Sequence, residues 1–234
     1  MKVAVINFSG NPGKTTLVDN LLAPRMNAPK FEVETINAGS SGSSAERLKG
    51  KDYGGLQEDL MTLGSAIVDV GASNVEEFIK QMSQFDGSHE EFDYFVVPAV
   101  SEKKQQIDTV NTIETLAGLG VPPKKIRVVF NKVELEDASD VPRLFSTVFG
   151  LHAERKCFTL KPEAAVFRNE IFERLRALKK NVSEIIADET DYRAMLREAT
   201  DEDTKARAVS MISAQRLAKS AHKNLDDVYK VLFK

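Results

Sequence analysis

The sequence predicts an α/β fold, a mostly parallel sheet flanked by helices with a helical C-terminal tail. Two observations predict it. Short apolar runs alternate with helical segments along most of the 234-residue chain, as they do in β-α-β units around a parallel sheet. Near the N-terminus, residues 3–16 (Val-Ala-Val-Ile-Asn-Phe-Ser-Gly-Asn-Pro-Gly-Lys-Thr-Thr) have the order strand, turn, helix. That order is typical of a phosphate-binding loop, and the fold class is therefore the P-loop NTPase fold.

The remaining elements follow in a regular order. Predicted strands cover residues 3–6, 31–37, 65–70, 94–100, 126–130 and 155–160, and predicted helices cover about 14–23, 75–85 and 107–119. A polar, serine-rich turn cluster at 38–44 separates two of the strands. Beyond Pro162 only helical periodicity remains. We therefore divide the chain into a nucleotide-binding α/β domain, 1–162, and a C-terminal helical segment, 163–234, packed on or extending it.

Composition excludes several classes of protein. The single cysteine, Cys157, excludes an internal disulfide, and three scattered histidines argue against a zinc site. A net charge of −3 argues against a generally basic nucleic-acid binder. No apolar run approaches the length of a membrane span, and the first strand begins without a signal peptide. We expect a cytoplasmic bacterial protein, with association with the nucleoid or a membrane left open.

The loop between the first strand and the first helix supplies the predicted phosphate site. Lys14 is expected to reach the β- and γ-phosphates, and the Thr15 hydroxyl to ligate Mg²⁺. The usual pattern has a further glycine five residues before Gly13, where this chain has Phe8. The predicted cofactor-binding residues of this loop are Gly10, Asn11, Pro12, Gly13, Lys14, Thr15 and Thr16.

A second motif, Ala-Ile-Val-Asp-Val-Gly-Ala at 66–72, brings an aspartate to the end of an apolar strand. Ligands of open α/β sheets bind at the carboxyl ends of the strands. Asp69 therefore suits the outer shell of Mg²⁺, and the Gly71 N–H suits the γ-phosphate. The structural alternative is a plain turn, for which Asp followed by Gly is also a signal.

A third motif, Val-Val-Phe-Asn-Lys-Val-Glu at 128–134, is the candidate for binding the base. Asn131 can offer its amide to a purine edge while the stem of Lys132 covers the ring. The motif is also similar to the guanine-reading pattern Asn-Lys-x-Asp, with Glu134 in the Asp position. The longer Glu changes the paired hydrogen bonds to guanine, so we expect ATP as the cofactor and keep GTP as the second choice.

With these motifs, residues 1–160 resemble the ParA/MinD superfamily of P-loop ATPases. The opening Val-Ile-Asn-Phe-Ser-Gly-Asn-Pro-Gly-Lys-Thr-Thr and the Leu-Leu-Ala-Pro-Arg at 21–25 resemble its StbB-type plasmid stability proteins, some of which are associated with conjugation. The resemblance implies a homodimer that forms around nucleotide. It also implies a plasmid-encoded DNA-binding adaptor as partner, and indirect or weak contact with DNA or a membrane surface.

Two departures from the superfamily bear on catalysis. Its signature lysine corresponds to Ser9 here, and the aspartate expected after the second strand corresponds to Asn37. An amide can hold a water molecule but cannot accept its proton. The predicted catalytic set is Lys14, Asn37 and Asp69. Because Asn37 cannot accept the proton and Ser9 brings no charge, we expect a weak ATPase with slow hydrolysis. The alternatives are a nucleotide-bound scaffold with negligible hydrolysis and a P-loop small-molecule kinase, although no Arg-rich lid follows the middle strands.

The C-terminal segment leaves two interpretations open. Leu225, Val228 and Leu232 recur at helical spacing, with lysines at the margins. This pattern favours a helix packed on its own domain, and it also suits a helix that lies on an anionic surface.

Overall fold

The structure, a computed structural model, describes residues 1–34, 46–48 and 53–234, with only the backbone of 46–48. Within this part of the chain, seven parallel strands form one sheet in the order β3-β2-β4-β1-β5-β6-β7. The strands are β1 (Lys2–Val5), β2 (Lys30–Val33), β3 (Glu46–Leu48), β4 (Ala66–Val70), β5 (Tyr94–Ala99), β6 (Ile126–Val133) and β7 (Ala165–Phe167). The predicted P-loop fold, a parallel sheet flanked by helices with a helical tail, is confirmed.

Helices cover both faces of this sheet. They include the phosphate-loop helix (14–26), which contains a π-helical turn at Val18–Leu22, and the C-terminal helix, Glu202–Phe233. The other helices are Tyr53–Thr62, Val75–Gln84, Lys103–Gly118, Val141–Leu144, Ser146–Arg155, Ile171–Leu178, Val182–Ile186 and Tyr192–Glu198. None of the described helices combines the length and the apolar character needed to cross a membrane.

The core has one layer on each face of the sheet. Successive strand side chains point to opposite faces, so β1 sends Ala4 to one layer and Val3 and Val5 to the other. The first layer packs under the helices from Tyr53 to Arg155, and the second packs under the phosphate-loop helix and the C-terminal helices. Burial on both faces explains why the central strands read as continuous apolar runs.

The C-terminal helix packs on the sheet through the second core layer. Leu225, Val228 and Leu232 are each at most 2% exposed and lie in the second core layer. Arg25 at the end of the phosphate-loop helix forms an ion pair with Asp226, at 2.7 Å, and donates to the carbonyl of His222. The apolar side of this helix is therefore covered by the protein itself.

The predicted last strand at 155–160 is wrong. Residues Ser146–Arg155 form a helix, and only Thr159 makes a bridge, to Arg127. The edge strand is β7, which lies beyond Pro162 and pairs with β6. This strand is short, and two small alanines precede its Val and Phe, so its apolar signal is weak. The division of the chain at residue 162 stays a prediction.

Several other boundaries differ from the expectations. The helix Tyr53–Thr62 was not predicted, because Gly54 and Gly55 disfavour helix; burial of Tyr53, Leu56 and Leu60 outweighs that preference.

The helix predicted at 107–119 begins at Lys103, and β6 continues to Val133. β2 ends at Val33, and the predicted strand end at 35–37, with Asn37, and the serine-rich cluster at 38–44 lie outside the described residues.

Candidate nucleotide-binding site

A cavity of about 690 Å³ opens at the carboxyl ends of β1, β2 and β4. Its size lies within the range of small-molecule sites. Among the residues that line it are eight of those predicted from the sequence: Gly10, Asn11, Gly13, Lys14, Thr15, Thr16, Asp69 and Gly71. Motifs that are more than fifty positions apart in the chain thus meet at one edge of the sheet, as expected for parallel strands.

The phosphate loop turns at Gly13, where φ is +86°. This left-handed conformation is available to glycine at little cost, and it lets the Gly13 carbonyl accept the first helical hydrogen bond, from Leu17. The phosphate-loop helix therefore points its N-terminus, with its unpaired N–H groups, at the cavity. This is the arrangement that binds phosphate in P-loop proteins.

Lys14 lies beneath the loop rather than on its surface. Its ammonium donates to the carbonyls of Asn7, at 3.1 Å, and Ser9, at 2.8 Å, and the residue is only 6% exposed. Burial lowers the pKa of Lys14 to about 8, an effect that the nearby Asp69 carboxylate partly offsets. The cation thus sits within the cavity wall, where an anion would stabilise it.

Thr15 and Asp69 form the candidate metal site. The Thr15 hydroxyl donates to Oδ2 of Asp69 at 2.8 Å. Burial raises the pKa of Asp69 to about 6, although the Thr15 hydrogen bond and the charges of Lys30 and Lys14 act in the opposite direction. Mg²⁺ prefers oxygen ligands and is usually held by one or two protein groups together with substrate phosphates and water. The pair therefore fits Mg²⁺ bound jointly with a phosphate.

The described residues contain no cluster of three or more His, Cys, Asp or Glu side chains suited to a metal ion. Two further carboxylates do line the cavity, those of Glu32 and Glu34, and neither was among the residues predicted from the sequence. Glu32 lies beside Asp69 in the β2–β4 register and pairs with Lys30 at 2.9 Å. The sequence did contain a signal for Glu32, since Lys30 and Glu32 lie in a short strand that is otherwise apolar. Charged residues are rarely buried in a strand unless they are paired, so this pattern indicates a buried ion pair.

The Gly71 N–H is not directed as predicted. It donates to the carbonyl of Val33 at 3.0 Å, because the hydrogen bonding between β2 and β4 continues one residue past the strands. A Cβ at Gly71 would lie 3.0 Å from that same carbonyl oxygen, so the close approach of the two chains explains a glycine here. Gly71 lines the cavity, but in this geometry its N–H is used within the sheet.

Asn131 and Lys132 lie behind the phosphate loop. The Asn131 amide donates to the carbonyl of Pro12 at 2.7 Å, and the Lys132 ammonium donates to that of Asn11 at 3.1 Å. Glu134, in the Asp position of the guanine-reading pattern, is paired with Arg168 at 2.9 Å. The three residues therefore stand at the expected end of β6, and their described contacts are with protein groups.

The start of the loop is held by a buried polar network that was not predicted from the sequence. The Asn7 amide donates to the carbonyl of Pro98 and to the hydroxyl of Thr109, and its oxygen accepts from the Ser9 N–H. The Phe8 N–H, at the position of the absent glycine, donates to the Thr112 hydroxyl at 3.1 Å. The helix Lys103–Gly118 thus fixes the path of a loop that lacks its usual first glycine.

Comparisons with known proteins agree with this fold. No protein-family model matches the chain. No curated protein matches it. Among solved structures, apo McdA from Cyanothece superposes with a TM-score of 0.52 at 13% identity, covering 91% of this chain and 98% of that one. The MinD cell division protein of Aquifex aeolicus superposes with a TM-score of 0.51 at 11% identity, covering 99% and 95%. The chain therefore shares the fold of McdA and MinD along nearly its whole length.

Proposed function

We propose that this protein binds ATP with Mg²⁺ and acts as a ParA/MinD-like switch in plasmid partition, stability or positioning, in the manner of StbB-type proteins. The observation that carries the proposal is the meeting of Lys14, Thr15 and Asp69 at the N-terminus of the phosphate-loop helix, at the edge of a large cavity. The shared fold with McdA and MinD and the motifs that resemble the ParA/MinD superfamily support it.

The chemistry of the site suits binding better than rapid turnover. Lys14 and the helix N-terminus offer positive charge to the phosphates, and Thr15 and Asp69 offer oxygen ligands to Mg²⁺. Ser9, at the position of the signature lysine, brings no charge, and its hydroxyl is 3.3 Å from Oε1 of Gln105. Phosphoryl transfer depends mainly on positioning and on charge stabilisation, so hydrolysis is slow in this proposal. The same observation favours the scaffold with negligible hydrolysis as the second candidate.

The binding step is tested by Lys14→Ala. Loss of a charged contact to phosphate costs about 1.5 to 3 kcal/mol, so we expect ATP–Mg²⁺ affinity to fall at least about tenfold in calorimetry. Lys125→Ala is a matched control, because the Lys125 ammonium also donates to two carbonyls, those of Glu90 and Phe92, at the opposite end of the sheet. Equal ATP affinity in wild type and Lys14→Ala, or no ATP binding by the wild type, would contradict the proposal.

A further inference from the structure

Strand β6 departs from regular geometry next to the phosphate loop. Its register with β7 pairs Asn131 with Val166 and then Val133 with Phe167, so Lys132 is skipped. Lys132 has a φ of +59°, a left-handed conformation that is uncommon for a residue with a long side chain. A bulge of this kind redirects side chains, and such bulges are frequent beside active sites.

The bulge aims two consecutive side chains at the same target. In a regular strand, neighbouring side chains point to opposite faces. Here Asn131 and Lys132 both reach the phosphate loop, where they donate to the adjacent carbonyls of Pro12, at 2.7 Å, and Asn11, at 3.1 Å. The left-handed backbone at Lys132 therefore allows both side chains to hold the phosphate loop from behind.

The Asn131 amide also occupies the space behind Gly13. A Cβ on Gly13 would lie only 2.3 Å from Nδ2 of Asn131. Asn131 is 5% exposed, and its hydrogen bond satisfies the carbonyl of the buried Pro12. The amide thus supports the turn immediately before Lys14, the residue that must face the phosphates.

We propose that Asn131 and Lys132 are positioning residues of the phosphate loop and do not read the purine base. They support the phosphate loop from the β6 side. This loop has Phe8 where the usual pattern has a glycine, and its start is held from the other side by Asn7 and Thr112. The inference rests on the proposed binding of a triphosphate at this loop. It means that their contribution to affinity is independent of the base.

Calorimetry with three ligands tests this role: ATP, GTP and inorganic tripolyphosphate, each with Mg²⁺. We expect Asn131→Ala and the isosteric Asn131→Asp, which cannot donate to Pro12, to weaken binding about tenfold for each ligand that the wild type binds, tripolyphosphate included. Asn224→Ala is the matched control, since the Asn224 amide donates to the carbonyl of Ala165 at 2.9 Å, away from the loop. We expect it to bind as the wild type does. Weaker ATP binding with unchanged tripolyphosphate binding would assign Asn131 to the base and overturn the proposal.

Hydrogen exchange of the protein without nucleotide tests the same role independently of affinity. We expect the backbone N–H groups of residues 8–16 to exchange faster in both Asn131 variants than in wild type or Asn224→Ala. Equal exchange in all of these proteins would overturn the proposal. If the wild type binds none of the three ligands, the proposed function fails, whereas the exchange rates still decide whether Asn131 holds the loop.

Discussion

Burial acts on the two charged site residues in opposite directions. It lowers the pKa of Lys14 to about 8 and raises the pKa of Asp69 to about 6, in each case because the charged form loses solvation. Phosphate oxygens favour the ammonium, and a divalent cation favours the carboxylate. The proposed ligands would therefore stabilise the charged form of each group, phosphate that of Lys14 and Mg²⁺ that of Asp69.

A second carboxylate, Asp188, stabilises the C-terminal segment. Its side chain is 11% exposed and pairs with Lys180, while the Tyr192 hydroxyl donates to it at 2.8 Å. The hydrogen bonds from Lys180, Thr190 and Tyr192 hold the pKa of Asp188 well below its usual range. We expect Asp188→Asn to lower the free energy of unfolding at pH 7 by about 1 to 2 kcal/mol, measured by urea denaturation.

The pH dependence of this loss has a definite sign. Because the pKa of Asp188 is lower in the folded protein than in the unfolded chain, where it is about 3.9, its contribution is complete above that value and declines as the pH falls toward the folded pKa. The difference between wild type and Asp188→Asn should stay constant from about pH 7 to 5 and shrink by about pH 3.5. Asp227→Asn, in an exposed pair at 3.7 Å, should change stability little at any of these pH values. A difference that does not shrink by pH 3.5 would contradict the assignment.

At the scale of elements, the C-terminal helix is part of the core. Its apolar side lies against the phosphate-loop helix and the strands, and the π-helical turn is tied to the tail by the Val182 N–H, which donates to Oδ1 of Asn20 at 3.0 Å. Leu225 is 1% exposed. Packing within the protein therefore explains the helical spacing of Leu225, Val228 and Leu232, and no contact with an anionic surface is needed to explain it.

Leu225→Ala tests that packing. We expect the free energy of unfolding to fall by about 2 to 5 kcal/mol, because the substitution removes a buried side chain and leaves a cavity. Val209→Ala, on the exposed side of the same helix at 53% exposure, should change it by less than about 0.5 kcal/mol. Thermal or urea unfolding of both variants gives the comparison, and similar losses for the two would show that the helix does not contribute to the core.

At the scale of the whole molecule, exposed apolar side chains flank the edge of the sheet that carries the cavity. Ile107 lies near the start of the helix Lys103–Gly118, which follows β5, and Leu135 follows β6; they are 54% and 68% exposed. We expect Mg²⁺ and a slowly hydrolysed ATP analogue to increase the mass of the particle in light scattering, as the family resemblance implies for a homodimer.

Turnover by the isolated protein should stay below about 1 s⁻¹.

Lys14→Ala provides the control for self-association, because a protein that binds nucleotide at least about tenfold more weakly should keep its mass at a nucleotide concentration that just saturates the wild type. A strictly monomeric complex at high protein concentration would favour the small-molecule kinase, and rapid turnover without a partner would contradict the role assigned to Ser9.

Much of the fold and part of the site followed from the sequence because they depend on neighbours in the chain. The strand, turn and helix of residues 3–16 form from local preferences, and the rule that ligands bind at the carboxyl ends of parallel strands brought Asp69 to Thr15. β7 and the helix Tyr53–Thr62 escaped prediction because their local preferences are weak and their burial comes from elements distant in the chain.

The sequence by itself thus determined the P-loop fold class and eight of the residues that line the cavity, since each motif carries its own turn and its own chemistry. Only the tertiary structure decided what those residues contact. The Gly71 N–H binds Val33 because two strands meet there, and Asn131 supports Pro12, 119 positions away, because β6 bulges behind the loop. Contacts of that separation depend on how the whole sheet assembles, and no local pattern encodes them.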